Sequence, residues 1–135
     1  MGFDTIYREG AVKLGQEMAN RQCELLYGAA NVGLMKVIAD VMLENKCKVI
    51  GTITHHLKNL HVGADGIDEL YVVDTMAERK KLLEDKADGF IAMPGGFGTL
   101  DELFEALVLS QLRIFDKPVG LFNVKGYFNK LLEYI

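Results

Sequence analysis

At 135 residues, half of them apolar and a quarter charged, the chain is the length of one domain and would bury somewhat under ~70% of the surface its unfolded form exposes. A net charge of −4 excludes the broad basic face that sequence-independent nucleic-acid binding requires. No apolar run approaches the ~20 residues of a membrane span, Met1-Gly2-Phe3-Asp4 is no basic-then-apolar leader, and no linker tract divides the chain. A single cytoplasmic domain over residues 1–135, with no nucleic-acid or membrane partner, is the expectation. Cys23 and Cys47 stand alone in or beside apolar runs, without the paired spacing of a zinc or redox site, and read as buried, reduced thiols.

In chain order, Ala11, Leu14, Met18 and Ala19 form a helical stripe over residues ~6–20, and Cys23 to Tyr27 reads as a strand. A second helix is predicted from about Val32 to Glu44, with Leu34, Val37, Ile38, Val41 and Met42 on one face. Lys48 to Ile53 is the next strand, followed by a long polar connection through His55, His56, His61, Gly63 and Gly66. Glu69 to Val73 is a strand, Met76 to about Lys86 a helix, and Phe90-Ile91-Ala92 a strand that runs into Pro94. A helix after Thr99, a strand over Lys117 to Phe122 and a short helix from Tyr127 to Ile135 complete the pattern. Strands alternating with helices indicate parallel pairing through right-handed crossovers, with helices on both faces of the sheet. Ligands in such folds bind beyond the C-terminal strand ends. Such domains normally open with a strand, and this chain opens with a helix, so a strand is expected upstream.

Three strand-to-helix junctions carry the residues with chemistry. In Pro94-Gly95-Gly96-Phe97-Gly98-Thr99-Leu100-Asp101-Glu102, backbone N–H groups and the positive end of a helix dipole converge on one spot suited to a phosphate. The register is not G-x-G-x-x-G, because Asp101 stands where the third glycine would, and no G-K-[ST] opens the helix as in a P-loop. A phosphate cradle and a tight turn closed by a Thr99–Glu102 capping box are both open. Glu102 is awkward beside an anion unless it faces something else.

Thr75-Met76-Ala77-Glu78-Arg79-Lys80-Lys81 also reads as a capping box at a helix start. Arg79 and Lys80 fall within the stripe of Met76, Leu83 and Ala87, so two cations interrupt an inward row. They either snorkel to water or meet a phosphate or carboxylate. In Tyr27-Gly28-Ala29-Ala30-Asn31-Val32-Gly33-Leu34-Met35, the small residues serve close ligand approach or close helix–strand packing. His55 and His56 follow a strand end, but spacing places no third ligand, so no metal or other cofactor is expected.

The P-G-G-x-G-T-x-x-E string at 94–102, paired with Met76-Ala77-Glu78-Arg79-Lys80 and with Tyr27-Gly28…Val32-Gly33-Leu34-Met35, resembles the Lonely Guy (LOG) phosphoribohydrolases. The likeness continues through Asp116 to Leu121 and on to Gly126-Tyr127-Phe128. It implies a Rossmann-like parallel sheet with helices on both faces, a homodimer, and hydrolysis of the N-glycosidic bond of nucleoside 5′-monophosphates, cytokinin nucleotides included. By position it makes Arg79 and Glu102 catalytic. Lys80, Gly95, Gly96, Phe97, Gly98, Thr99, Leu100, Asp101, Gly28 and Gly33 would bind the substrate. On this reading the phosphate sits on the Gly95–Thr99 amides and Glu102 faces the ribose, where departure of the base develops positive charge. An older "lysine decarboxylase" label of the family finds no support in the spacing. The chain departs from the family at Ala29, Ala30 and Lys36, where glycines are usual, at Ala77 in place of histidine, and at His61 in place of glutamate. It also lacks the family's first strand and C-terminal part. Those departures make a catalytically weak or inactive nucleotide-binding homologue the alternative.

Overall fold

The computed structural model describes residues 5–29, 33–59 and 66–135, which fall into two compact units, one over residues 8–86 and one over 87–135 together with the segment up to residue 7.

In the 8–86 unit, three strands, β1 (Leu25–Tyr27), β2 (Val49–Thr54) and β3 (Glu69–Val73), pair in parallel in the order β1-β2-β3. β2 is central and buried at every position but Ile50, as a strand covered on both faces should be. The register sets Tyr27 opposite Gly51 and Thr52 opposite Tyr71. Helices α1 (Thr5–Asn20), α2 (Gly33–Glu44), the short α3 (His55–Asn59) and α4 (Met76–Lys86) accompany this sheet. α2 buries Leu34, Val37, Ile38 and Met42 as its stripe requires. A Cβ on Gly15 would lie 3.1 Å from Val41, so α1 and α2 cross at close range where a small residue permits it.

In the second unit, β4 (Phe90–Ala92) pairs in parallel with β5 (Val119–Leu121) through the crossover helix α5 (Phe97–Gln111). A 3₁₀ turn (Val124–Gly126) and α6 (Asn129–Tyr134) end the chain. Phe90 stacks on Phe115 at 5.6 Å between ring centroids, and Met93, Leu103, Ala106 and Phe128 form the buried core.

Three expectations are corrected. Cys23 and Cys47 are half-buried rather than buried, since each stands just outside the end of a strand. The polar connection after β2 begins as the helix α3, which follows β2 with no intervening loop. The helix expected after Thr99 starts at Phe97, with Gly96 as its N-cap. Ala30, His61 and Gly63 lie outside the described residues.

Candidate functional site

The first cluster lies at the C-terminal ends of β1 and β2. Thr75 caps α4 as its sequence requires: the Glu78 amide donates to Thr75 Oγ1 at 3.1 Å, and Glu78 Oε2 accepts from the Asp74 amide at 3.3 Å. This fixed first turn presents Arg79, half-buried, to the strand ends. Its Nε donates to the Thr52 carbonyl at 3.3 Å and its Nη2 to the Gly28 carbonyl at 3.1 Å. One guanidinium thus bridges two neighbouring strands, a geometry that a planar fork of donors allows and a single ammonium does not. Lys80 beside it is half-buried.

The glycines and the alanine of the β1–α2 junction each have their own setting. Gly33 opens α2 with φ +80°, a left-handed conformation that glycine adopts at no steric cost. Ala29 holds φ +52° without that freedom. It is fully buried, and its methyl occupies the space in front of Gly51, where a built Cβ would come within 2.7 Å of it. The Ala29 methyl therefore fills the interior against β2. Lys36 pairs with Asp40 one turn along α2 at 2.6 Å.

Two buried hydroxyls flank these strand ends. Tyr27 Oη and Thr52 Oγ1 have no hydrogen-bond partner among the described residues. Burial, and secondarily the Asp40 carboxylate, push the Tyr27 phenol above its ordinary pKa. His55 Nε2 lies 3.3 Å from Asp74 Oδ1, and among the described residues no group of three or more His, Cys, Asp or Glu stands ready to hold a metal.

The second cluster is the loop from Met93 to Gly96 and the start of α5. Gly96 caps the helix with its backbone alone, and the Leu100 amide bonds the Gly96 carbonyl at 3.2 Å. The Thr99–Glu102 capping box is therefore not formed: Thr99 is the third helical residue rather than the cap. The amides of Phe97, Gly98 and Thr99 are the orphan donors of the helix start. The three glycines differ. A Cβ on Gly95 would strike Thr99 Oγ1 and lie 3.2 Å from Thr99 Cβ, whereas Cβ atoms on Gly96 or Gly98 would meet nothing within 4 Å. Packing demands glycine at 95; at 96 and 98 it leaves the backbone open to an approaching group. Asp101 and Glu102 are exposed one turn further on, Leu100 is half-buried, and the Tyr127 hydroxyl donates to the Gly95 carbonyl.

Sequence reasoning missed three participants. The carbonyls of Gly28 and Thr52 are backbone groups with no side-chain signature. Tyr127 belongs to the matched motifs, but its hydroxyl has a target only once the chain has folded.

A family model described as "Possible lysine decarboxylase" matches residues 35–135. The chain belongs to this family. Its relatives carry the LOG name drawn from the motifs. The rice (Oryza sativa subsp. japonica) protein named "Probable cytokinin riboside 5'-monophosphate phosphoribohydrolase LOGL1" is 44% identical over 131 residues, 97% of this chain and 59% of that one. The Arabidopsis thaliana "Cytokinin riboside 5'-monophosphate phosphoribohydrolase LOG1" is 41% identical over 134 residues, 99% and 63% of the two chains. The chain thus spans about three fifths of the length of these curated relatives. Among solved structures, the Moco carrier protein from Chlamydomonas reinhardtii superposes with a TM-score of 0.73 at 20% identity, covering 97% of this chain and 75% of that one. The molybdenum cofactor binding protein from Rippkaea orientalis gives 0.67 at 22% identity, covering 97% and 88%. These two likenesses show the Rossmann-like α/β fold.

Proposed function

We propose that the chain is a phosphoribohydrolase domain that hydrolyses the N-glycosidic bond of a purine nucleoside 5′-monophosphate, cytokinin-type or AMP-like, to free base and ribose 5-phosphate. The observation that carries this reading is the start of α5: three orphan amides at the positive end of a 15-residue helix, with the Cβ sides of Gly96 and Gly98 open. The relatives named for this activity supply the reaction. Gly95 to Thr99 cradle the phosphate, with Leu100 and Asp101 completing the turn, and Lys80, Gly28 and Gly33 serve binding of the nucleotide.

Glu102 acts on the sugar. As the C1′–N bond breaks, its electron pair leaves with the base and the ribose gains oxocarbenium character, which a carboxylate stabilises. Water supplies the new C1′–O bond, one of its protons ends on the base, and Glu102 orients that water. Arg79 is the second catalytic residue and holds the substrate. No metal or redox step is needed.

We assign the working form as a cytoplasmic homodimer. α5 and its C-cap expose Phe104, Val108 and Leu112, four residues apart, an apolar stripe suited to a second copy. No described helix is long and apolar enough to cross a membrane. Light scattering on the purified chain checks the dimer, and a monomer at micromolar concentration overturns it.

The catalytic reading is tested by incubating the chain with AMP and with isopentenyladenosine monophosphate and following released base by chromatography. Release roughly 10²–10³ faster than from Glu102→Gln supports it, as loss of one transition-state electrostatic group predicts. Release no faster than from that variant overturns it.

A further inference from the structure

Gly28 follows β1 with a backbone outside the left-handed region, so its own conformation does not call for glycine. The demand comes from across the sheet. A Cβ built on Gly28 would fall onto Arg79 Nη2 and within 2.9 Å of Arg79 Cζ, and the nearest heavy atoms around it all belong to that guanidinium. The guanidinium cannot readily step aside, because the Thr52 and Gly28 carbonyls hold it at 3.3 and 3.1 Å on two adjacent strands. Hydrogen bonds from a charged donor are about twice as strong as neutral ones, and two in a fixed fork define both position and plane.

The other glycines nearby have different reasons. Gly33 needs its positive φ, and Gly51 must clear Ala29 and Ile67. Gly28 alone among them is matched to a single charged side chain.

We propose that Gly28 is a positioning residue that acts on the substrate through Arg79: the missing side chain leaves the slot in which the guanidinium is held across the ends of β1 and β2. This rests on Arg79 being catalytic, as proposed above. The competing role, direct approach of the ligand to the Gly28 backbone, makes a different prediction about how the two residues couple.

The test is a double-mutant cycle of Gly28→Ala, Arg79→Ala and the pair, read by thermal unfolding and by kcat and KM for AMP. Gly28→Ala alone is expected to lower Tm by a few degrees and kcat by about 10²-fold, with KM changed less. In the Arg79→Ala background the same change should cost no further activity. There it should leave Tm level or raise it, because alanine at a compatible backbone restricts the unfolded chain. Additive losses in activity and in Tm overturn the proposal.

A readout independent of turnover is the Arg79 Nε–H signal in ¹H–¹⁵N spectra, identified by its loss in Arg79→Lys. It should be protected from solvent exchange in the parent protein and lose that protection in Gly28→Ala. An unaltered Nε–H in folded Gly28→Ala overturns the slot. If the chain releases no base from any nucleotide, the catalytic reading fails while the Tm cycle and the Nε–H signal still judge the slot. If Gly28→Ala does not fold alone, recovery of folding by adding Arg79→Ala supports the proposal, and failure of the pair to fold overturns it.

Discussion

The Tyr127 hydroxyl donates a hydrogen bond to the Gly95 carbonyl, tying the end of the 3₁₀ turn to the loop that leaves β4. The ring is held independently, edge-on to Tyr7 at 6.0 Å and to Phe128 at 5.1 Å between centroids. Tyr127→Phe therefore removes the tie and keeps the packing. One such bond is worth about 1 kcal/mol, so the KM for a nucleotide should rise roughly five-fold with kcat changed less. An unchanged KM in steady-state kinetics would show that the loop does not depend on this bond.

Tyr27 makes the opposite case. Its hydroxyl is buried without a partner among the described residues, so Tyr27→Phe removes a desolvation penalty and should stabilise by about 1 kcal/mol at neutral pH. The pH dependence has a definite sign. Burial, with Asp40 behind it, raises the folded pKa above the unfolded value near ~10. The unfolded chain then ionises first, and stability that is full below the unfolded pKa is lost as pH rises through the folded one. Denaturant titrations should show the gain from Tyr27→Phe growing above pH ~10. A gain that is flat with pH would remove the ionisation argument.

The helices other than the short α3 were legible in the sequence, and α1 and α2 stop at Asn20 and Glu44 where their stripes end, but what closes the helices is a backbone pattern. α1, α2 and α5 each end on a left-handed residue that is not glycine: Gln22, Lys46 and Arg113, with φ of 59°, 61° and 59°. The closing bonds are the same in each, Cys23 to Met18, Cys47 to Met42 and Ile114 to Leu109, all at 2.9 Å. Rules that look for glycine after the last turn find nothing at these positions. The long polar side chains bear a conformation that glycine adopts without steric cost, so replacing each by glycine should stabilise by about 0.5–1 kcal/mol. Calorimetry of the triple variant should show the sum, and a fall in Tm would mean that the side chains themselves hold these turns.

What the sequence conveyed about the site was its side chains with their order along the chain. The strand–loop–helix punctuation around Pro94 and the Thr75 cap are local signals, and β3 and α4 fall on their predicted residues. The N-cap of α5 was misplaced because Thr99-x-x-Glu102 satisfies a capping rule that Gly96, capping by backbone alone, pre-empts three residues earlier. The carbonyls that grip Arg79 had no local signal, since β1 and β2 meet only through register.

The three glycines of the α5 junction offer a separation of stability from binding. Gly95→Ala drives a methyl into the Thr99 side chain, so something must shift, and a loss of about 1–3 kcal/mol is expected. Gly98 is the second residue of α5 with open space at its Cβ position, and alanine there should raise Tm by helix propensity, worth up to ~1 kcal/mol. Gly96→Ala, on the same clear side, should leave Tm nearly unchanged. If phosphate rests on this backbone, both Gly96→Ala and Gly98→Ala raise the KM for AMP about ten-fold while the fold stays intact, because the added methyl stands where the ligand must approach. The same pair assayed by inorganic phosphate competition should show a matching rise in the inhibition constant. Two stable variants with unaltered KM would move the phosphate away from the α5 N-terminus.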